Sequence, residues 1–330
     1  MKTCVLALTP KGHILARKMA TVLPDCELIA VDGKIVDTMA RLWSRYQGII
    51  CIMATGIVVR AIAPLLQNKT TDPCVVVLDQ NGEHAISLVS GHLGGGNDLA
   101  RLIGDRTGAR PVITTASDVS GCTALDLWAR RNGLQIDNRQ TLTEKSAKLV
   151  ARRSLQVYSP LPLVGLPRDL LRTTTADEAD VVISWQRCEL TTALHCIPRL
   201  LYVGVGCNRG TSVTDIERAF MELCAAHRLE PGAVAGIASI DLKNDEVGIL
   251  EFAAHRGVDI QFFCRDALNG VRDVSYSRAV MRAVGVQGVA EPAAVLAAAT
   301  DGSAAELLVR KMKWKDVTMA VAQRKRDRWE

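Results

Sequence analysis

The chain has 330 residues, a formal net charge of +5, and 48% hydrophobic against 23% charged residues. That length exceeds what one ordinary core holds, and the composition excludes an intrinsically disordered chain. An aromatic content of 4% argues against single-strand nucleic-acid binding by base stacking, and the small positive charge suits an acidic small molecule without requiring a polynucleotide.

From the amino terminus, β-branched runs alternate with stretches of helical period. They predict strands at 4–9, 26–31, 48–54, 74–79, 85–90 and 111–116, with helices at 12–22, 35–46, 57–66, 98–107 and 123–131. This is the pattern of βαβ units in a parallel sheet. Between the fourth and fifth strands, Asn81-Gly82 predicts a hairpin and one antiparallel pairing. The region ends near residue 136. Over 137–198 the pattern weakens to a helix at 143–153, a strand at 181–185, and Pro160, Pro162 and Pro167, which interrupt regular structure. From 199 to 330 the alternation resumes, with strands at 201–206, 234–240 and 260–264 and helices at 215–227, 246–255, 278–284 and 292–299. A hairpin of 306–314 with 317–322 closes it across Lys315-Asp316. The fold class is therefore α/β, with two βα-alternating domains, 1–136 and 199–330, on either side of a short irregular middle region, 137–198. The basic residues Arg310 to Lys315 read as a solvated strand face, and Arg324-Lys325-Arg326 as a frayed end.

No apolar run reaches the ~20 residues of a membrane span, and Val5-Leu6-Ala7-Leu8 meets Pro10 too early for a signal peptide, so the expectation is a cytoplasmic protein. The ten cysteines form no C-x-x-C pair and read as reduced thiols among apolar neighbours. Cys224 and His227 stand at helical spacing but lack two further ligands, so no protein metal site is expected.

Chemistry concentrates in the loops. Ser90-Gly91-His92-Leu93-Gly94-Gly95-Gly96-Asn97-Asp98 joins a strand to a helix. Its glycines are expected to converge N–H groups on an anion, with Asn97 as N-cap; the plainer reading is a tight turn that needs glycine. His92 is the candidate catalytic acid or base, and Asp98 and Asp118 are the next candidates for the base. The loop Ala54-Thr55-Gly56, with Arg60 one turn into its helix, and the segment Thr114-Thr115-Ala116-Ser117-Asp118 are expected to line the same crevice at the carboxyl ends of the strands. In the last domain, Gly206-Cys207-Asn208-Arg209-Gly210-Thr211 repeats the device ahead of a capping box at Thr214-Asp215-Ile216-Glu217. Arg209 suits a fixed carboxylate, and Cys207 is either an exposed thiol in an electropositive setting or a packed one.

Taken together, these segments resemble the cobalt-precorrin-5A hydrolase family of anaerobic cobalamin biosynthesis. The resemblance rests on Gly56-Ile57-Val58-Val59-Arg60-Ala61-Ile62-Ala63-Pro64, on the His92 loop, on Ile113-Thr114-Thr115-Ala116-Ser117-Asp118, on Gly204 to Thr211, on Ala238-Ser239-Ile240-Asp241-Leu242-Lys243 and on Val289-Ala290-Glu291-Pro292-Ala293-Ala294. It implies an enzyme that opens the δ-lactone of cobalt-precorrin-5A and expels the bridging carbon with its methyl group as acetaldehyde. It implies no resident cofactor, because cobalt enters with the corrinoid substrate, whose carboxylates would occupy the anion loops. A homodimer or contacts with neighbouring pathway enzymes are the partner classes left open. Two other classes use the same features. A nucleotide or sugar-phosphate enzyme would use the Gly-rich loops, and a nucleic-acid module would use the basic tail.

Overall fold

The computed structural model describes residues 1–68, 71–190, 192–326 and 329. The chain divides into two compact units, 1–127 and 128–330.

The first unit runs β1 (Thr3–Ala7), α1 (Pro10–Val22), β2 (Cys26–Leu28), α2 (Ile35–Trp43), β3 (Gly48–Ile52), α3 (Thr55–Ile62), β4 (Cys74–Leu78), β5 (His84–Val89), α4 (Gly96–Thr107), β6 (Arg110–Val112) and α5 (Ala116–Ser120). Its six-stranded sheet has the order β2-β1-β3-β4-β5-β6. Every residue of β1, β3 and β4 is buried, because helices cover both faces and the strands therefore read as continuous apolar runs. Val5, Ala7, Ile50 and Ile52 pack with Met19 of α1 and with Leu99 and Ile103 of α4. Cys4, Leu6, Ile49 and Cys51 pack on the other face with Met39 of α2 and Val58 of α3.

The hairpin expected at Asn81-Gly82 is present, with Gly82 at φ +72° and β4 antiparallel to β5. It governs the geometry of the whole unit. Strands β1 to β4 are mutually parallel, and so are β5 and β6, but the two sets run in opposite directions. Val89 at the end of β5 therefore lies opposite Val75 near the start of β4, and Ala85 opposite Leu78. The loops after β5 and β6 leave one edge of the sheet, and the loop after β3 leaves the other, roughly 16 Å away over a five-residue strand.

Helix α6 (Leu125–Arg131) carries the chain across the boundary between the units. The segment expected to be irregular then forms β7 (Leu134–Ile136), α7 (Arg139–Arg152), β8 (Leu155–Tyr158), β9 (Leu170–Arg172), β10 (Val181–Ile183) and β11 (Leu194–Pro198). Its five strands pair in the order β7-β11-β10-β8-β9. Pro160, Pro162 and Pro167 fall in the connection between β8 and β9, so they punctuate loops and spare the short strands, which is why composition understated the order. The remainder is β12 (Leu201–Cys207), α8 (Val213–Ala226), β13 (Val234–Ile240), α9 (Val247–Arg256), β14 (Asp259–Phe263), α10 (Arg265–Gly270), α11 (Arg278–Val284), α12 (Ala290–Ala298), β15 (Ala305–Lys313) and β16 (Val317–Arg324), in the sheet order β14-β13-β12-β16-β15. Helix α12 crosses β12 so closely that a Cβ on Gly204 would lie 1.8 Å from the Ala290 carbonyl oxygen. The tail expected to fray is anchored. Trp329 is fully buried, its indole N–H donates to the Pro162 carbonyl at 2.7 Å, and the Arg326 guanidinium lies over its ring at 4.4 Å.

A candidate active site around His92

Because β5 and β6 run the same way, the His92 loop and the segment from Thr114 to Asp118 emerge side by side. The glycines serve close folding. A Cβ on Gly91 would lie 2.6 Å from Asn97 Oδ1, one on Gly94 would lie 2.4 Å from Ser90 Cβ, and Gly95 takes φ +85°. The N–H groups of Gly95, Gly96 and Asn97 are spent on the carbonyls of His92, Ser90 and Gly91, so the expected open anion cradle is closed by the loop itself. Nor is Asn97 the N-cap. Gly95 holds that position, and the buried Asn97 amide turns inward, donating to Thr115 Oγ1 at 3.1 Å and Asp118 Oδ2 at 3.0 Å.

His92 projects from this frame between two carboxylates. Its Nε2 is 3.0 Å from Asp118 Oδ2 and its Nδ1 is 3.6 Å from Asp126 Oδ2, while Ser117 Oγ lies 3.1 Å from Nε2. Asp126, in the first turn of α6, lines a cleft of about 280 Å³ together with Ser90, Gly91, His92, Leu93 and Thr115. The oxygens of Asp118 are already engaged. Arg101 of α4 donates to Oδ1, and Asn97 donates to Oδ2 beside His92. Thr115 Oγ1, as acceptor from Asn97, keeps its own O–H to donate.

The electrostatics follow from these contacts. The His92 pKa is raised, chiefly by Asp126 and further by Asp118, against partial burial. Burial alone would raise the pKa of Asp118, but hydrogen bonds from Arg101 and His92 outweigh it and hold that carboxyl below its usual range. Burial likewise opposes Asp126, and the neighbouring His92 ring outweighs it, so its pKa is lowered. The two carboxylates favour the protonated ring; the imidazolium can donate a proton as an acid, and the neutral ring can accept one as a base.

Asp98, 61% exposed, joins the edge of this cluster through Arg101, which it meets at 3.1 Å and which also donates to Asp118. Thr55, Gly56 and Arg60 lie at the opposite edge of the sheet, so the three loops do not line one crevice as expected; the reversal at the β4–β5 hairpin separates them. Thr55 borders a second, mostly apolar cleft of about 520 Å³ at that edge, with Thr9, Ile52, Ile57, Gln80 and His84, and the exposed Arg60 donates to the carbonyl of Gly56. Sequence spacing pointed to neither Asp126 nor Arg101, which the fold brings to His92 and to Asp118 from α6 and α4.

In the second unit, the loop after β12 is filled by its own chain. Gly210 N–H donates to Glu246 Oε1 at 2.7 Å, Lys243 Nζ to Glu246 Oε2 at 3.0 Å, and Arg209 to Asp245 Oδ1 at 2.5 Å and the Leu242 carbonyl at 2.9 Å. Thr211 donates to the Asn208 carbonyl. Burial pushes the Cys207 thiol up, with Lys243 opposing, which favours the packed reading of that residue. The cap of α8 is Ser212, two residues before the expected Thr214, with its Oγ accepting from Asp215 N–H.

The model of the cobalamin synthesis G N-terminal region matches residues 37–118. The cobalamin biosynthesis central region matches 123–198, and the cobalamin synthesis G C-terminus matches 201–322. A cobalt-precorrin-5A hydrolase from Priestia megaterium is 31% identical, covering 96% of this chain and 94% of that protein. One from Salmonella typhimurium is 33% identical over 88% of this chain and 90% of that protein. The crystal structure of a putative cobalamin biosynthesis protein G homolog from Sulfolobus solfataricus aligns over 98% of this chain and 97% of its own, at 19% identity and a TM-score of 0.39. With the three regions matched in order between residues 37 and 322 and relatives of 31% and 33% identity covering most of the chain, the chain belongs to the cobalt-precorrin-5A hydrolase family.

Proposed function

We propose that this protein hydrolyses the δ-lactone of cobalt-precorrin-5A and releases acetaldehyde to give cobalt-precorrin-5B, working in the cytoplasm. The cobalt arrives inside the substrate, and no resident cofactor is required. The observation that carries the reading at the level of chemistry is the His92 imidazole held between Asp118 and Asp126 at an open cleft. Opening the lactone adds water across an ester C–O bond and leaves a carboxylic acid and a hydroxyl on the bridging carbon. Release of that carbon as an aldehyde removes the hydroxyl proton, and the electron pair of the breaking C–C bond stays on the macrocycle, which takes up a proton. Both steps need a group that gives and takes protons near neutrality, and His92 with its raised pKa is suited to it. The Thr115 hydroxyl is the donor in the same cleft for the oxyanion that forms as the lactone opens.

The division into 1–136, 137–198 and 199–330 is retained as the functional organisation, with the proton chemistry in the first part. Incubating the purified protein with cobalt-precorrin-5A and assaying acetaldehyde tests the reading. Release at an enzymatic rate is expected, and a corrinoid recovered with its lactone intact would remove it.

A further inference from the structure

We propose that Ser117 is a nucleophile, and that Ser117, His92 and Asp126 form an acyl-transfer relay acting on the lactone; this rests on the lactone-opening reading above. A serine hydroxyl is inert unless a base takes its proton as it attacks, and the base works best when a third group holds its other ring nitrogen. A hydroxyl and a carboxylate stand on the two sides of the ring here, the hydroxyl within hydrogen-bond length and the carboxylate just beyond it. Ser117 Oγ lies 3.1 Å from His92 Nε2, and Asp126 Oδ2 lies 3.6 Å from Nδ1 on the far side of the ring. The residues come from the first turn of α5, the loop after β5 and the first turn of α6, so the fold and not local sequence assembles them.

Asp118 distinguishes this relay from a simple one. It follows Ser117 directly, and its Oδ2 reaches the same Nε2 at 3.0 Å. While Nε2 is protonated its hydrogen goes to Asp118, and the serine has no base. When that proton is lost, Nε2 presents a lone pair, and the Ser117 O–H is the donor within reach. The charged and titratable groups facing the ring are thus Asp118 from α5 and Asp126 from α6, with Arg101 of α4 behind Asp118.

The chemistry balances with water alone. Ser117 Oγ bonds to the lactone carbonyl carbon as its proton passes to Nε2. The ring C–O bond breaks, and Nε2 returns the proton to the oxygen freed on the bridging carbon. The macrocycle carboxyl is left as an ester of Ser117. Water then bonds to that carbonyl, its proton going to Nε2. The bond to Oγ breaks, and Oγ regains a proton. One water is consumed, and a free carboxylic acid and a hydroxyl are formed.

The test uses the full chain with two readouts, acetaldehyde release from cobalt-precorrin-5A and labelling by a fluorophosphonate probe followed by peptide mapping. Ser117→Ala is expected to lose on the order of 10³-fold or more in turnover, with an unchanged circular-dichroism melt. The probe is expected to attach to Ser117 in the native chain and to fail in His92→Gln. Both results together support the relay. Turnover of Ser117→Ala within tenfold of native overturns it, because water is then the nucleophile. A large loss with Ser117 unlabelled in the native chain also overturns it, since the hydroxyl then only supports the ring. Labelling of Ser117 in a chain that releases no acetaldehyde keeps the nucleophile and removes the substrate, which separates this inference from the reading beneath it.

Discussion

The loop around His92 and the loop around Arg209 look alike in sequence: each is a glycine-rich turn from a strand end into a helix, with a basic residue between glycines. Folded, they do different things. In the first, the glycines let the loop close on itself and push an imidazole out between Asp118 and Asp126 at a cleft. In the second, Glu246 and Asp245 already occupy the positions that an external carboxylate would take. A glycine-rich turn with a cation specifies that an anion will be held. Whether the anion is a ligand or the chain's own side chain depends on what tertiary structure brings there.

The comparison breaks most readily at His92. A general acid–base group contributes ~10²–10⁴-fold in rate, so His92→Ala should lower kcat by about that factor with the fold intact, as followed by acetaldehyde release. Glutamine can donate a hydrogen bond but cannot carry a proton at neutral pH. Near-native turnover in His92→Gln would therefore reduce the histidine to a positioning group and erase the contrast between the loops.

A second effect lies in pH dependence. If the ring must lose a proton to act as base, kcat rises with pH through the raised pKa of His92. Asp118→Asn removes one carboxylate that raises this pKa, so the rise should move to lower pH; a profile that stays in place would show that the ring's charge does not limit the rate. Stability has the same sign structure. The His92 contribution is fully present below the unfolded value of ~6.5 and is lost as pH rises through the raised folded value. Those of Asp118 and Asp126 are present above the unfolded value of ~3.9 and are lost as pH falls through their lowered folded values. The cluster therefore stabilises most in the weakly acid interval between those two unfolded values.

Much of this was legible in the sequence. Continuous apolar runs such as Gly48-Ile49-Ile50-Cys51-Ile52 marked the buried parallel strands, and Asn81-Gly82 marked the hairpin. The consequence of that hairpin was equally available: a reversed strand sends its following loop to the opposite edge, which parts His92 from Thr55, Gly56 and Arg60. What was not legible is the approach of Asp126. It depends on the turn between α5 and α6, where Gly121 takes φ +65°, and no residue spacing encodes how such a turn aims a side chain. For the same reason, nothing local announced that Glu246, 36 residues beyond Gly210, would accept its N–H.

Glu246→Gln tests whether the second loop is a structural strap. Glu246 is 4% exposed. Burial alone would raise its pKa, but the bonds from Lys243 and Gly210 N–H outweigh it and hold it below its usual range. Neutralising it weakens charge-assisted bonds and leaves the Lys243 ammonium, itself only 14% exposed, without its counter-charge. A fall of roughly 2–10 °C in melting temperature is expected, with kcat changed far less than in His92→Ala. An unchanged melt combined with a large rise in KM would mean that the carboxylate takes part in substrate handling instead.

The smallest effect is expected at Arg209, the residue whose sequence setting most suggested substrate binding. Its guanidinium is 62% exposed and is taken up by Asp245, itself 64% exposed, and by the Leu242 carbonyl. An external carboxylate would have to displace a partner already at hydrogen-bonding distance, and exposed ion pairs are weak in either case because water and salt screen them. Arg209→Ala should therefore change KM by less than about threefold, a shift worth under one kcal/mol of ground-state binding. Asp245→Ala sharpens the test, since it removes the exposed carboxylate partner and leaves the guanidinium on the Leu242 carbonyl. If Arg209 can serve a substrate carboxylate, KM in Asp245→Ala should fall and the drop should vanish when Arg209→Ala is added. If the loop is only a strap, both single variants and the double variant should have the KM of the native chain.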